Sequence, residues 1–362
     1  MSLVVNFSMK SIQTKKTRKI NLLPGPIHIH DKVKSDFGRV PISHRDDTFS
    51  GSLKKVKGLL RSLTQCKKVE VCLGTGTLAN DIIASQLSLL NKRGLILSNG
   101  EFGERLIRHA RGFGLKYQSI KMRWGAAFDY QGIDLTLKRN NIKWIWFVHH
   151  ETSTGMLNDF NRLLDLSKKS KLLFCVDCIS SIGAYPINLA EVDFASGTSG
   201  KAMGAYPGLS FVFYKKAYFS KVRNVPVYLD LQMYRKKSGI PFTSSSNLLS
   251  ALKNALQLLL RDRNKFHKIQ KQNQWIRKQA IEANAQILVK NECESPLMTT
   301  ICIPSKIGSH IVGKNLRDRG FLVHYQGKYL RNRNWVQIAS FSLYSRQHLK
   351  PMFDYLKKRL EI

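Results

Sequence analysis

The chain has 362 residues, of which 43% are hydrophobic and 23% are charged. Its length predicts roughly two domains, and it lacks the apolar run of ~20 residues that a membrane-spanning helix needs. Lys and Arg number 59 against 24 Asp and Glu, which gives a net charge of +35. Such a charge attracts anions and nucleic acid. The cations are spread along the whole chain without a nucleic-acid-reading motif, so we expect a basic surface and no specific nucleic-acid partner.

The chain begins with a basic segment, residues 1–19, that contains no acidic residue. Asn6 and Ser8 interrupt its short apolar stretch, which argues against a secretory signal. We predict a basic tail, with an organelle-targeting segment as the alternative. Six cysteines are too few for a disulfide scaffold in a chain this long, so we predict a cytoplasmic location. Cys175 and Cys178 lie in the apolar run LLFCVDC without a second pair, which favours core cysteines over a metal site.

Residues 20–245 alternate short apolar runs with amphipathic stretches. Strands that are apolar on both faces and alternate with helices indicate a parallel sheet covered on both sides. We therefore predict an α/β fold with a large domain over residues 20–245. The strand candidates are 69–73, 94–98, 145–149, 172–177 and 209–214, and the helix candidates include 78–90 and 161–170.

The pattern changes after about residue 240. A long helical stretch over 248–284 comes first, and strand candidates and two helices follow it. We predict a long helix and a small C-terminal α+β domain over residues 246–362. The remaining elements are strands at 299–303, 321–325 and 335–340, a helix near 309–319 and a terminal helix over 346–360.

Two polar segments directly follow predicted strands. The first is Gly74-Thr75-Gly76-Thr77, which also precedes a helix. Glycines allow a close backbone approach, and a helix N-terminus binds phosphate through its unpaired N–H groups; a tight turn without ligand is the alternative. The second is Asp177, which ends an apolar strand at the edge where α/β sheets bind ligands, or caps the next turn.

A lysine and a His-His-Glu segment complete the set. Lys201 lies among small residues in Ser199-Gly200-Lys201, where burial would lower its pKa and make the amine a nucleophile for carbonyls. His149-His150-Glu151 lacks the spacing of a zinc motif, so we predict no metal. A phosphate loop, a strand-end acid and a nucleophilic lysine, in this order, are the set that pyridoxal 5′-phosphate (PLP) requires.

The sequence resembles the class V aminotransferases, especially 2-aminoethylphosphonate–pyruvate and alanine–glyoxylate/serine–pyruvate aminotransferases. The resemblance covers almost the whole chain, in the segments LLPGP, GTGTLAND, NGEFGER, HHETSTG, VDCISSIGA and SGKAMGAYPG. It implies the PLP-dependent transferase fold type I, with a large domain built on a mostly parallel seven-stranded sheet, a small C-terminal domain, and a homodimer with shared active sites. The implied activity is transfer of an amino group from a small amino acid or aminophosphonate to a 2-oxo acid such as pyruvate or glyoxylate.

The resemblance also implies roles for individual residues. Lys201 would hold PLP as a Schiff base, and Asp177 would pair with the pyridine nitrogen. Thr75, Gly76, Thr77 and Ser199 would bind the cofactor near its phosphate, with Thr243 reaching that phosphate from the neighbouring subunit. Phe102 and Ile179 would pack on the ring, and Thr152 would contact its hydroxyl. Pro24, Gly25 and Pro26 would line the substrate mouth.

Three positions depart from the family pattern, and two alternative functions remain. Gly200 stands where the family often has Gln, and Ile240 where it has Tyr. Gln337 replaces a late-strand arginine that binds the substrate carboxylate, so Arg331, Arg333 and Gln337 are the candidate substrate-binding residues. A cysteine desulfurase-like lyase of the same fold, with Cys293 as the sulfur acceptor, is one alternative. A basic nucleic-acid-binding protein is the other.

Overall fold

The computed structural model describes residues 19–218, 225–290 and 292–360. The predicted tail therefore lies outside the described residues, except for Lys19. The helices are α1 (Asp31–Phe37), α2 (Asp47–Thr64), α3 (Gly76–Leu90), α4 (Glu101–Gly112), α5 (Tyr130–Arg139), α6 (Phe160–Lys169), α7 (Leu231–Lys236), α8 (Ser246–Arg261), α9 (Lys265–Glu282), α10 (Ser309–Asp318), α11 (Lys328–Arg333) and α12 (Arg346–Leu360). The strands are β1 (Ile20–Asn21), β2 (Lys68–Leu73), β3 (Gly94–Ser98), β4 (Tyr117–Lys121), β5 (Trp144–Val148), β6 (His150–Glu151), β7 (Met156–Leu157), β8 (Leu173–Asp177), β9 (Phe194–Thr198), β10 (Leu209–Tyr214), β11 (Gln286–Ile287), β12 (Met298–Cys302), β13 (Phe321–Leu322) and β14 (Trp335–Ala339).

A seven-stranded sheet in the order β2-β10-β9-β8-β5-β3-β4 forms the centre of the molecule. The five strands from β9 to β4 are parallel to one another, whereas β10 runs antiparallel to both β9 and β2. This confirms the prediction of an α/β fold with a mostly parallel sheet. Strand β2 consequently points the same way as the parallel strands, because two antiparallel steps separate it from β9.

Helices cover both faces of this sheet, as its doubly apolar strands predict. Phe49 of α2 and Leu252 of α8 belong to the apolar cluster on one face. Ile82 of α3 and Leu106 of α4 belong to the cluster on the other. All five residues of β5 are buried, because a central parallel strand lies under helices on both sides.

A three-stranded antiparallel sheet, β11-β12-β14, lies in the C-terminal part and has its own apolar core. The prediction of one long helix over 248–284 was wrong, since α8 ends at Arg261 and α9 begins at Lys265. Leu252 of α8 packs into the large-sheet core, whereas Ile276 of α9 packs into the C-terminal core. The break between Arg261 and Lys265 therefore separates a helix of one core from a helix of the other. The domain boundary at residue 245 stays a prediction.

The direction of the strands decides where their loops meet. Strands β2, β3, β5, β8 and β9 share one direction, so the loops at their carboxyl ends gather at one edge of the sheet. Ligands of open α/β sheets bind beyond this edge. Among the helices in the described parts of the chain, none combines the length and apolarity needed to cross a bilayer.

Candidate active site

A cavity of about 290 Å³ lies at the carboxyl edge of the large sheet. The loops after β2, β8 and β9, the first turns of α3 and α4, and the segment before α1 enclose it. Most of the residues that the sequence singled out meet here, although up to 176 positions separate them in the chain. The predicted residues that line this cavity are Gly25, Pro26, Thr75, Gly76, Thr77, Phe102, Asp177, Ile179 and Lys201.

The start of α3 forms one wall of the cavity. Thr75 is the extended N-cap residue of this 15-residue helix, and its side chain makes no capping hydrogen bond. The first-turn amides of a helix lack intrahelical acceptors and carry its positive dipole end. A Cβ on Gly76 would lie 2.7 Å from Cδ1 of Ile179, so only glycine fits between the helix and that side chain. This wall is therefore suited to an anion such as phosphate.

Asp177 ends β8, and its carboxylate is buried in the cavity wall. Its Oδ2 accepts a hydrogen bond from Nδ2 of Asn80 at 2.7 Å, and its Oδ1 accepts one from the backbone N–H of Ile179 at 2.9 Å. Asp177 therefore caps the turn that follows β8, and the same side chain also lines the cavity. Burial raises the pKa of Asp177 despite these hydrogen bonds. A buried carboxylate with this bias is stabilised by a protonated ring nitrogen beside it.

Lys201 lies three residues beyond the end of β9, the parallel neighbour of β8. Burial lowers the pKa of Lys201 to about 8, and the nearby Asp177 carboxylate partly opposes this effect. A Cβ on Gly25 would lie 3.0 Å from both Cδ of Lys201 and the carbonyl oxygen of Gly200. The loop before α1 therefore confines the lysine chain, which leaves a partly desolvated amine in the cavity.

The loop after β5 holds α4 in place. Glu151 is fully buried and accepts hydrogen bonds from the backbone N–H of Gly103 at 2.9 Å and of Phe102 at 3.4 Å, in the first turn of α4. Burial raises the pKa of Glu151 to about 7. This carboxylate supplies the cap that Gly100, the N-cap residue of α4, lacks. Glu151 of the His-His-Glu segment thus has a structural role, since it holds Phe102 in position at the cavity.

The comparison with known families identifies the family of the chain. The sequence model described as "Aminotransferase class-V" matches residues 38–329. The chain belongs to the class V aminotransferase family. A soluble hydrogenase 42 kDa subunit from Anabaena cylindrica is 31% identical over 302 residues, which is 78% of each chain. A 2-aminoethylphosphonate–pyruvate transaminase from Salmonella paratyphi C is 25% identical over 325 residues, or 85% of this chain and 88% of that one.

The solved structures agree with the family assignment. The structure of an alanine–glyoxylate aminotransferase from Nostoc sp. superposes with a TM-score of 0.82 at 24% identity, covering 99% of this chain and 100% of that one. The predicted resemblance and fold type I are confirmed. The protein is a PLP-dependent aminotransferase of class V.

The cavity of this aminotransferase fits PLP on two further observations. Oδ1 of Asn80 is buried without a hydrogen-bond partner, while its amide nitrogen is bonded to Asp177. A buried acceptor of this kind is costly unless a ligand satisfies it. The two glycines, Gly25 and Gly76, leave room that any side chain would fill. Lys201, Asp177 and the start of α3 would then hold the aldehyde carbon, the ring nitrogen and the phosphate.

The predicted cofactor residues Ser199, Thr152 and Thr243, and Pro24 of the predicted substrate mouth, lie outside the cavity of the single chain. Oγ of Ser199 donates to the carbonyl oxygen of Tyr206 at 2.7 Å and so folds the lysine loop back on itself. Thr152 is buried, and its carbonyl oxygen accepts a hydrogen bond from Gln337. Pro24 is buried beside the lining residues Gly25 and Pro26, and Thr243 is exposed before α8. The roles predicted for these residues stay predictions.

Of the candidate substrate residues, Gly25 and Pro26 line this cavity, whereas Arg331, Arg333 and Gln337 lie outside it. Gln337 is fully buried, and its Nε2 donates to the carbonyl oxygens of Thr152 at 2.6 Å and Ser153 at 3.0 Å. The guanidinium of Arg333 lies 3.6 Å from the ring centroid of Trp124, in a cation–π contact. Arg331 is exposed on α11. Gln337 and Arg333 are therefore held by their own contacts.

Asn80, Arg105 and His150 are among the lining residues that sequence reasoning did not assign to the site. Asn80 and Arg105 follow predicted cofactor residues by three positions on α3 and α4, which places them on the same helix faces. That spacing was the signal that could have found them. Nε2 of His150 lies 2.7 Å from Oγ of Ser295, and burial lowers the pKa of this histidine to about 4, so it is neutral.

Proposed function

We propose that this protein transfers an amino group from a small amino acid or aminophosphonate, of the alanine, serine or 2-aminoethylphosphonate type, to a 2-oxo acid such as pyruvate or glyoxylate. The observation that carries the proposal is the convergence of Lys201 and Asp177 on one small cavity in a class V aminotransferase. The names of the Salmonella and Nostoc relatives support the substrate classes. The volume of about 290 Å³ favours a small donor once the cofactor is bound.

Each residue of the cavity has a chemical task in this proposal. PLP, when bound, supplies an electron-withdrawing ring that stabilises negative charge at the substrate carbon. Asp177 keeps a proton on the ring nitrogen. The amine of Lys201, with its lowered pKa of about 8, takes a proton from one substrate carbon and returns it to another position, as general base and acid. Phe102 and Ile179, which line the cavity, would pack against the ring and exclude water from it.

A cysteine desulfurase-like reaction has weaker support. That chemistry needs an accessible thiolate close to the cofactor. Cys293 is 8% exposed and lines a different cavity, together with Tyr130 and Asp159. Burial and the carboxylates of Glu292 and Asp159 raise the pKa of this thiol. The nucleic-acid alternative rests on net charge alone and predicts binding that is lost at high salt.

A half-reaction screen tests the proposal. The purified holoenzyme is mixed with alanine, serine, 2-aminoethylphosphonate and cysteine, and the visible absorption band of lysine-bound PLP is followed. We expect loss of the band with at least one amino donor and its return on addition of pyruvate or glyoxylate, and no band in Lys201→Ala. Sulfide release from cysteine without any band loss by the other donors would instead establish a lyase.

We further propose a cytoplasmic homodimer in which Thr243 completes the partner's phosphate site. Phe37, Val40 and Ile42 are exposed apolar residues, and Asn247 ties this segment to the start of α8 through a 2.8 Å hydrogen bond to the carbonyl oxygen of Phe37. Several exposed apolar residues in one short segment are typical of an interface. Five of the six cysteines are buried free thiols, and Cys302 is half-buried, which fits a reducing compartment.

Complementation tests the shared site. Lys201→Ala and Thr243→Ala chains are unfolded together and refolded as a mixture. A mixed dimer then contains one site with both native side chains, so activity above that of either variant is expected. The shared site would be ruled out if light scattering gave the mass of a monomer. It would also be ruled out if the refolded mixture were no more active than either variant alone.

A further inference from the structure

The lining of the cavity contains two cations, Lys201 and Arg105. Under the proposed function, Lys201 is committed to the cofactor and to proton transfer, and the start of α3 is committed to the phosphate. Every 2-oxo acid acceptor nevertheless brings a carboxylate into this cavity. Desolvating that carboxylate is costly unless a cation or several donors pair with it. Arg105 is the lining residue that remains for this task.

The guanidinium of Arg105 has donors to spare. Its NH2 lies 3.8 Å from Oε1 of Glu101, beyond hydrogen-bonding distance, because Arg108 takes that oxygen at 2.6 Å. Within the described parts of the chain, the Arg105 guanidinium makes no hydrogen bond to another residue. It packs 4.8 Å from the ring centroid of Phe102 and keeps 39% of its side-chain surface exposed. An arginine held on an aromatic ring with free donors is preorganised for bidentate carboxylate binding.

Two of the three late-chain candidates, Gln337 and Arg333, are engaged in other contacts. The amide nitrogen of Gln337 donates to the carbonyl oxygens of Thr152 and Ser153 and to Oγ1 of Thr300 at 2.9 Å. Gln337 therefore fastens the C-terminal sheet to the loop after β5 and has no donor left for a substrate. Arg333 is stacked on Trp124. These contacts leave α4, and not the late strand β14, as the source of the carboxylate-binding cation.

We infer that Arg105 binds the carboxylate of the amino-acid donor and of the 2-oxo acid acceptor in this protein. The inference rests on the proposed function and goes beyond it by assigning the substrate anion to a side chain of α4. It places the substrate carboxylate beside Phe102, on the α4 side of the cavity. A planar bidentate contact also explains why a lysine at this position would serve less well.

Two aminooxy probes test this assignment without knowledge of the natural substrate. Aminooxyacetate carries a carboxylate and O-methylhydroxylamine does not, and both displace Lys201 from PLP by the same reaction. We expect the wild-type holoenzyme to react with aminooxyacetate about 10- to 100-fold faster, the range of one charge-assisted contact. In Arg105→Gln this preference falls to about one, and in Arg105→Lys to an intermediate ratio. Arg111→Gln, in the last turn of the same helix, is the matched control and keeps the full preference.

A second readout separates the possible failures. The affinity of the Arg105→Gln apoenzyme for PLP, measured by titration of the absorption band, should stay within about threefold of wild type. A retained carboxylate preference in Arg105→Gln would overturn the inference, as would a wild type that does not distinguish the probes. A large loss of PLP affinity would assign Arg105 to the cofactor and equally overturn it. Absence of any band in the wild type would instead refute the proposed function itself.

Discussion

The lowered pKa of Lys201 leads to a quantitative prediction about cofactor attachment. Burial moves this pKa from an ordinary 10.5 to about 8. Because only the neutral amine attacks an aldehyde, this lower pKa gives on the order of 100-fold more reactive amine at neutral pH. Desolvation lowers the pKa of Lys201 because it disfavours the charged ammonium. The rate of PLP attachment to the apoenzyme should therefore rise tenfold per pH unit up to about 8 and then level off.

Stopped-flow mixing of apoenzyme with PLP measures this rate between pH 6 and 11. PLP titrates in the same range, so the rate is divided by that of Nα-acetyl-lysine with PLP under the same conditions. The ratio should be constant below pH ~8 and should then fall about tenfold per unit until pH ~10.5. A ratio that stays constant to pH 10.5 would mean that the lysine is not desolvated, and the reasoning from the cavity geometry would be wrong. Lys201→Arg should show no attachment at any pH.

Three further changes have expected outcomes. Asp177→Asn should retain PLP but slow the half-reaction by roughly 10²–10⁴-fold, measured as the rate of band loss with the best donor; an unchanged rate would contradict the role given to this acid. Gly25→Ala should weaken PLP attachment, because the new Cβ would lie 3.0 Å from Cδ of Lys201, whereas Gly58→Ala, with open space at its Cβ, should leave attachment unchanged and stabilise α2. Gln337→Leu should lower the free energy of unfolding by roughly 2–4 kcal/mol, since two buried carbonyl oxygens lose their donor, and an unaltered urea midpoint of the apoenzyme would refute that accounting.

The sequence predicted the fold wherever hydrophobic pattern alone decides the structure. The buried strands β3, β5 and β8 are continuous apolar runs, which the sequence shows directly. Strand β9 was missed because its residues, FASGT, combine one phenylalanine with small side chains, and its strand character comes from pairing with β8 and β10. Strand β4 was missed because, as an edge strand, its five residues YQSIK are only half-buried or exposed.

The site was predictable where a residue acts through its place in the chain. Asp177 and Lys201 follow strands, and the carboxyl ends of parallel strands meet at one edge, so their convergence follows from topology. Gln337 shows the limit of this reasoning. Its replacement of an arginine was visible in the sequence, but its three donated hydrogen bonds depend on the loop after β5 approaching β14 from 185 residues away. No local sequence pattern predicts such a contact. Because the engagement of Gln337 was not visible in the sequence, Arg105 was not considered as the carboxylate-binding residue.

The positive charge of the chain is largely separate from the chemistry. A groove of about 710 Å³ beside α2, β2 and α7 holds six cations and one carboxylate, that of Glu70, which Lys57 pairs at 2.7 Å. The catalytic cavity, by contrast, has two cations and the Asp177 carboxylate. Exposed charges are screened beyond about 8 Å in physiological salt. The exposed cations can raise the local concentration of anionic donors and acceptors, but screening keeps them from setting the pKa of Lys201, which depends on burial. This is why a charge of +35 pointed to anions but not to a reaction.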